Sequence, residues 1–168
     1  MLAHGYAWLM EEFVSDTFSH SLDDFTVMLR IRHPNIDPAE ITQTLGLVPQ
    51  HSWRAGETRR TAQGAPLEGA YRESFWTAEF QELESGLKGV REIEAVLMTA
   101  VVQLRRSQAF LSKLHSESGT VELSVEIMGS RDFTLTLSPQ LVSLLARAGV
   151  SLVLTRTEAQ VAERRKTG

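Results

Sequence analysis

FTVMLRIRHPNIDPAEITQTLG, residues 25–46, is the stretch that decides the fold class. Its first eight residues alternate, with Phe25, Val27, Leu29 and Ile31 on one face and Thr26, Met28, Arg30 and Arg32 on the other. That period of two belongs to a half-buried strand. The remainder switches to helical signals. Asp37 stands as an N-cap, Pro38 suits the first helical position, and Glu40 follows three after the cap, as in a capping box. Ile36 and Ile41 are spaced as a hydrophobic staple. Gly46 ends the helix, with Leu47 placed for the apolar contact beyond a glycine C-cap. The spacing predicts a helix over 38–45.

Working outward, residues 48–70 read as a loop, carrying Pro49, Gly56, Gly64, Pro66 and Gly69. Residues 71–81 read as a strand, with Trp76, Ala78 and Phe80 sharing a face. The longest helix is predicted over 90–114, where Val90, Ile93, Leu97, Ala100, Val101, Leu104, Leu111 and Leu114 form a continuous stripe. Residues 121–128 alternate as a second clear strand. Residues 133–137 read as a short extended piece, a hairpin partner across 129–132. Ser138, Pro139 and Gly149 then repeat the cap, proline and stop of the first helix, with Leu137 and Val142 as the staple. A closing strand is predicted over 152–155. Two segments thus share one order of strand, proline-started helix, glycine stop and strand. The predicted class is α+β: a ferredoxin-like, mostly antiparallel sheet built from two βαβ halves, with the long helix inserted between them.

Length and composition set the outer limits. A chain of 168 residues, 42% hydrophobic and 23% charged, has globular proportions. The expected organisation is an N-terminal arm or short helix over 1–23, one domain over 24–158 and a frayed tail over 159–168. Tyr6, Leu9, Met10, Phe13 and Val14 recur at helical spacing in the arm. The absence of cysteine rules out disulfides, thiolate metal sites and a cysteine nucleophile, and fits a cytoplasmic location. No signal peptide and no membrane span are expected, since no apolar run approaches the roughly 20 residues a bilayer requires. The net charge of −4 argues against nucleic acid as a partner.

Catalytic motifs do not emerge. The chain has no G-x-S-x-G, no phosphate loop, no G-x-G-x-x-G and no H-E-x-x-H. Its histidines, at 4, 20, 33, 51 and 115, include no pair at ligand spacing on a helix. His20 with Asp23 and Asp24 reads as a solvated acidic turn, so no metal and no cofactor are expected. One segment is different. Trp53, Arg54, Glu57 and Arg59, with Arg72 and Trp76 downstream, combine guanidinium forks, which pair with carboxylates and phosphates, and tryptophans, which offer rigid stacking walls. Either these six residues form a binding site, or the tryptophans pin the loop while the arginines stay solvated. On the polar strand faces, Arg30 and Arg32 are expected beside Glu122, Ser124 and Glu126 as devices of register and solubility.

Three stretches carry a family resemblance: 35–42 with Leu45, Gly46 and Leu47; Trp53, Gly56 and Glu57 with Trp76; and 141–154. Together they resemble a bacterial family of small single-domain proteins, domain-of-unknown-function family 4279, over roughly residues 24–157. The resemblance implies a cytosolic protein with no assigned activity, catalytic residue or cofactor. The functional expectation is a non-enzymatic binding module that engages a protein partner or its own copy. The alternative is a small anionic-ligand sensor or minor enzyme using residues 53–60.

Overall fold

The computed structural model describes residues 25–61, 63–80, 90–128 and 134–157. The expectations placed on the N-terminal arm, His20 with its two aspartates, the 129–132 turn and the C-terminal tail lie outside the described residues. The element order is β1 (Phe25–His33), α1 (Pro38–Leu45), β2 (His51–Trp53), β3 (Thr58–Arg60), β4 (Pro66–Ala70), β5 (Ser74–Glu79), α2 (Val90–Arg105), α3 (Gln108–Ser116), β6 (Thr120–Met128), α4 (Pro139–Ala148) and β7 (Ser151–Thr157). Strands β2-β5-β1-β6-β7 form one mixed sheet, in that order, and β3 and β4 form a separate hairpin.

β1 lies at the centre, antiparallel to both β5 and β6. β2 is antiparallel to β5, whereas β6 and β7 are parallel. The predicted alternation holds: Val27, Leu29 and Ile31 are buried, joined across the ladders by Trp76 and Ala78 on one side and Val121, Leu123, Val125 and Ile127 on the other. Ile41 of α1, Leu97 and Val101 of α2, Leu111 and Leu114 of α3, and Leu141 and Leu145 of α4 all join this same core. Thr26, Met28, Arg30 and Arg32 occupy the opposite face.

The helix ends follow the sequence signals with two local departures. Asp37 accepts a hydrogen bond from the Ala39 N–H at 2.9 Å, and Ser138 Oγ accepts one from the Leu141 N–H at 3.2 Å. Gly46 and Gly149 end their helices in the left-handed region, at φ 68° and 69°. Glu40, however, does not reach back to its cap; its carboxylate pairs with Lys113 Nζ of α3 at 2.7 Å. On α4, Val142, the expected staple residue, is 50% exposed. That helix entry is held from outside instead: Glu94 of α2 accepts the Ser138 N–H at 3.0 Å.

Three larger expectations are corrected. Residues 48–70 contain three strands, missed because β2 has only three residues and β3 and β4 are exposed along their length, so no burial pattern marks them. The single long helix is two, α2 and α3. Ser107 and Gln108 interrupt the stripe between Leu104 and Leu111, and the chain turns there through three-residue bonds, Arg106 N–H to Gln103 and Ser107 N–H to Leu104. Finally, residues 134–138 pair with no strand; Leu135 and Leu137 lie half-buried against the core, so their alternation reflects packing rather than a ladder. Phe133 lies outside the described residues.

Trp76 anchors the core. It is fully buried, and its Nε1–H donates to Thr42 Oγ1 of α1 at 3.0 Å, while Thr42 Oγ1 donates to Pro38 O at 3.2 Å. A buried indole N–H needs such an acceptor. Trp76→Ala is expected to lower stability by about 3–5 kcal/mol in urea unfolding, and Trp76→Phe by less, losing a hydrogen bond of about 1 kcal/mol and some volume.

The Glu94–Ser138 contact makes a second prediction. Ser138 donates to the Glu94 carboxylate through its hydroxyl and backbone N–H, and this holds the carboxyl below its ordinary value. A depressed carboxyl stabilises the fold above the unfolded-state pKa, and the contribution disappears as pH falls through the folded-state value. Ser138→Ala should raise the Glu94 titration midpoint, followed by NMR, toward that of free glutamate. The same variant should cost about 1 kcal/mol through the lost cap.

Candidate functional site

Cross-strand register builds the site. Arg32 of β1 faces Phe75 of β5, and Phe75 faces Trp53 of β2. These three side chains therefore stand side by side on the sheet face opposite the core. Phe75 and Trp53 stack with centroids 4.4 Å apart, and Trp53 and Tyr71 stack at 4.6 Å. The Arg32 guanidinium lies 5.6 Å from the Phe75 ring centre. The result is a row of Arg32, Phe75, Trp53 and Tyr71 running across the strands. Each aromatic pair adds about 0.5–1.5 kcal/mol beyond its buried area. Both faces of Trp53 are used internally, so it has no open face to offer a ligand.

The row fastens the hairpin to the sheet. Gly56 N–H donates to Tyr71 O at 2.8 Å, and Tyr71 N–H donates to Glu57 O at 2.9 Å. The β3–β4 register shifts across Arg59, between the Thr58–Ala70 and Arg60–Pro66 pairs. Irregularities of this kind re-aim side chains, and they are common beside binding sites.

Between the hairpin, the end of β1 and the 118–120 turn lies an open cleft of about 790 Å³. Arg32, Arg59 and Arg72 line it, with Trp53, Tyr71, Glu73, His33, Ser118 and Thr120. Arg32 is paired with Glu73 at 3.1 Å. Arg59 and Arg72 have no ion-pair partner among the described residues. A smaller groove of about 450 Å³ continues along the same face past Arg32, Phe75, Thr77 and His51 to Glu79 and Glu126.

His33, 2% exposed, is among the residues lining the cleft. Its Nδ1 accepts from the Ile36 N–H at 2.9 Å and the Asn35 N–H at 3.2 Å, which places the ring proton on Nε2. That Nε2 stands 3.2 Å from Glu117 Oε2 but without hydrogen-bond geometry. The ring fits because residue 119 is glycine: a Cβ there would meet His33 Cδ2 at 2.7 Å and Leu114 O at 2.8 Å.

Of the six residues singled out from sequence, the structure gathers Trp53, Arg59 and Arg72 at the cleft. Arg54 and Glu57 lie beside it, on the turn. Glu57 Oε2 accepts the Arg54 N–H at 3.1 Å, and Arg54 Nη1 reaches Asp37 Oδ2 at 3.4 Å, an exposed pair worth at most about 1 kcal/mol. Trp76 points into the core on the opposite sheet face and takes no part. Sequence reasoning missed Arg32, His33, Tyr71 and Phe75 as site residues. The signal for two of them was present: Arg32 lies on the polar side of the 25–32 alternation, and Phe75 on the side opposite Trp76. The other polar-face expectation stands in part. Arg30 pairs with Glu126 at 2.5 Å and lies 3.6 Å from Glu122, whereas Arg32 turns away to Glu73.

A family model described as a domain of unknown function, DUF4279, matches residues 23–157. The chain belongs to the DUF4279 family. Every described element of this DUF4279 chain, and every lining residue of the cleft, falls inside that match. No curated protein and no solved structure matches it. Among the described residues, no helix is long and apolar enough to cross a membrane.

Because the aromatic row is what ties hairpin to sheet, Trp53→Ala should release the hairpin without unfolding the core. Hydrogen exchange read by NMR should show the Tyr71 and Gly56 amides exchanging at least about tenfold faster. Amides of β6 should keep their wild-type rates.

Proposed function

We propose that this DUF4279 chain is a non-enzymatic binding module that engages a protein partner through the open sheet face and the β3–β4 hairpin. The observation that carries this reading is the state of His33, the histidine that lines the cleft. Its Nδ1 is committed to two backbone N–H groups and its Nε2 is buried, so this histidine is not free to act as a base, whereas the lining arginines supply charge for holding a partner. Continuity supports the choice of a protein over a compact ligand. The 790 Å³ cleft and the 450 Å³ groove share Arg32, so an extended surface runs from the hairpin past His51 to Glu79. Leu67 on β4 of the hairpin is an exposed large apolar side chain.

The same proposal extends to the architecture. β1–α1–β2 and β5–α2–α3–β6 interleave as β2-β5-β1-β6, each strand antiparallel to its neighbour. We read these four strands as a ferredoxin-like unit, with α4 and β7 appended through a parallel pairing. In that reading the helices occupy one layer and the opposite sheet face is left for recognition. A cytoplasmic bacterial setting, in keeping with the absence of cysteine, belongs to the same proposal.

Site-directed photo-crosslinking in cells tests the partner reading. A photoreactive residue at His51 or Leu67 should give discrete adducts, including those with a second copy of the chain, whereas one at Thr99, on the exposed side of α2, should not. Equal adducts from all three positions, or none from His51 and Leu67, would overturn it.

A further inference from the structure

We infer that the cleft is an oxyanion site, in which Arg59, Arg72 and Arg32 grip a carboxylate or phosphate; this deepens the binding-module reading and rests on it. The first ground is charge placement. A chain of net charge −4 gathers three arginines around one cleft against the single carboxylate of Glu73. Low-dielectric walls lined by one sign of charge focus the field and raise the local concentration of counter-ions. The second ground is the state of those cations. Arg59 and Arg72 lack a carboxylate among the described residues, although Arg30, Arg32, Arg54 and Lys113 each have one. Guanidinium forks form paired, charge-assisted hydrogen bonds with oxyanions, so two unpaired forks on one cleft leave an acceptor to be supplied.

Glu117 Oε2 stands 3.2 Å from Nε2 of His33, a lining residue, so a second carboxylate adjoins the cleft and the oxyanion is held by the arginines alone. Tyr71 and Phe75 already stack on Trp53, so charge and oxygen geometry, rather than the indole face, select the ligand.

The oxyanion has two sources, a free small molecule or an acidic side chain of a partner. Calorimetric titration of the full chain distinguishes them, using inorganic phosphate, malonate and the peptide acetyl-Glu-Glu-Glu-amide at low ionic strength, about 0.01–0.02 M, where screening is weak. Saturable binding of at least one probe is expected. Arg59→Gln and Arg72→Gln should each weaken it about tenfold or more, whereas Arg54→Gln, outside the cleft, should leave it within about twofold. Binding of phosphate or malonate without the peptide assigns a free anion; binding of the peptide assigns a partner's acidic segment. No saturable binding by any probe, or an equal loss in Arg54→Gln, overturns the site. Crosslinks from His51 and Leu67 surviving that failure would leave the binding module standing and remove only the oxyanion.

Discussion

The placement of β1 between β5 and β6 governs the rest of this structure. One strand supplies both layers: Val27, Leu29 and Ile31 build the core, and Thr26, Met28, Arg30 and Arg32 build the open face. Because side chains alternate with a period of two, a slip of one residue in register would exchange the two sets, exposing three core aliphatics and burying two guanidinium groups. The core burial on one side thus enforces the position of Arg32 on the other. Its alignment with Phe75, and through Phe75 with Trp53, follows from the same ladder.

The hairpin beside the cleft depends on the same ladders. The hairpin has no buried residue of its own, and an isolated two-stranded ribbon is marginal in water. It is held by the aromatic row and by the backbone bonds between Tyr71 and residues 56 and 57. Arg59 sits on this attached ribbon and Arg72 between it and β5, while His33, packed against Gly119, also lines the cleft.

Local signals in the chain were reliable where one residue's conformation is at stake. Asp37, Pro38 and Gly46, then Ser138, Pro139 and Gly149, marked both short helices because a cap, a restricted φ and a left-handed stop act within a few residues of themselves. The same reasoning failed for residues 134–138, whose alternation meets the core without a strand beside it. It failed again for β2, β3 and β4, whose pairing is satisfied by distant backbone and leaves no apolar pattern. At the site, Trp53, Arg59 and Arg72 were legible as residue types suited to binding. Trp76 looked equivalent to Trp53 in sequence, yet the two stand on opposite sides of the sheet.

By itself, the sequence determined the α+β class, the core strands over 25–32 and 121–128, both capped helices and the exclusion of cysteine chemistry. Only the tertiary structure decided that Trp53 is stacked on both faces, that Arg54 turns to Asp37 while Arg59 and Arg72 turn to the cleft, and that His33 joins them. The reason is range. Alternation and capping are set by neighbours a few residues apart, whereas the cleft assembles side chains from β1, β2, the hairpin and the start of β6, whose proximity exists only once the ladders between them have formed.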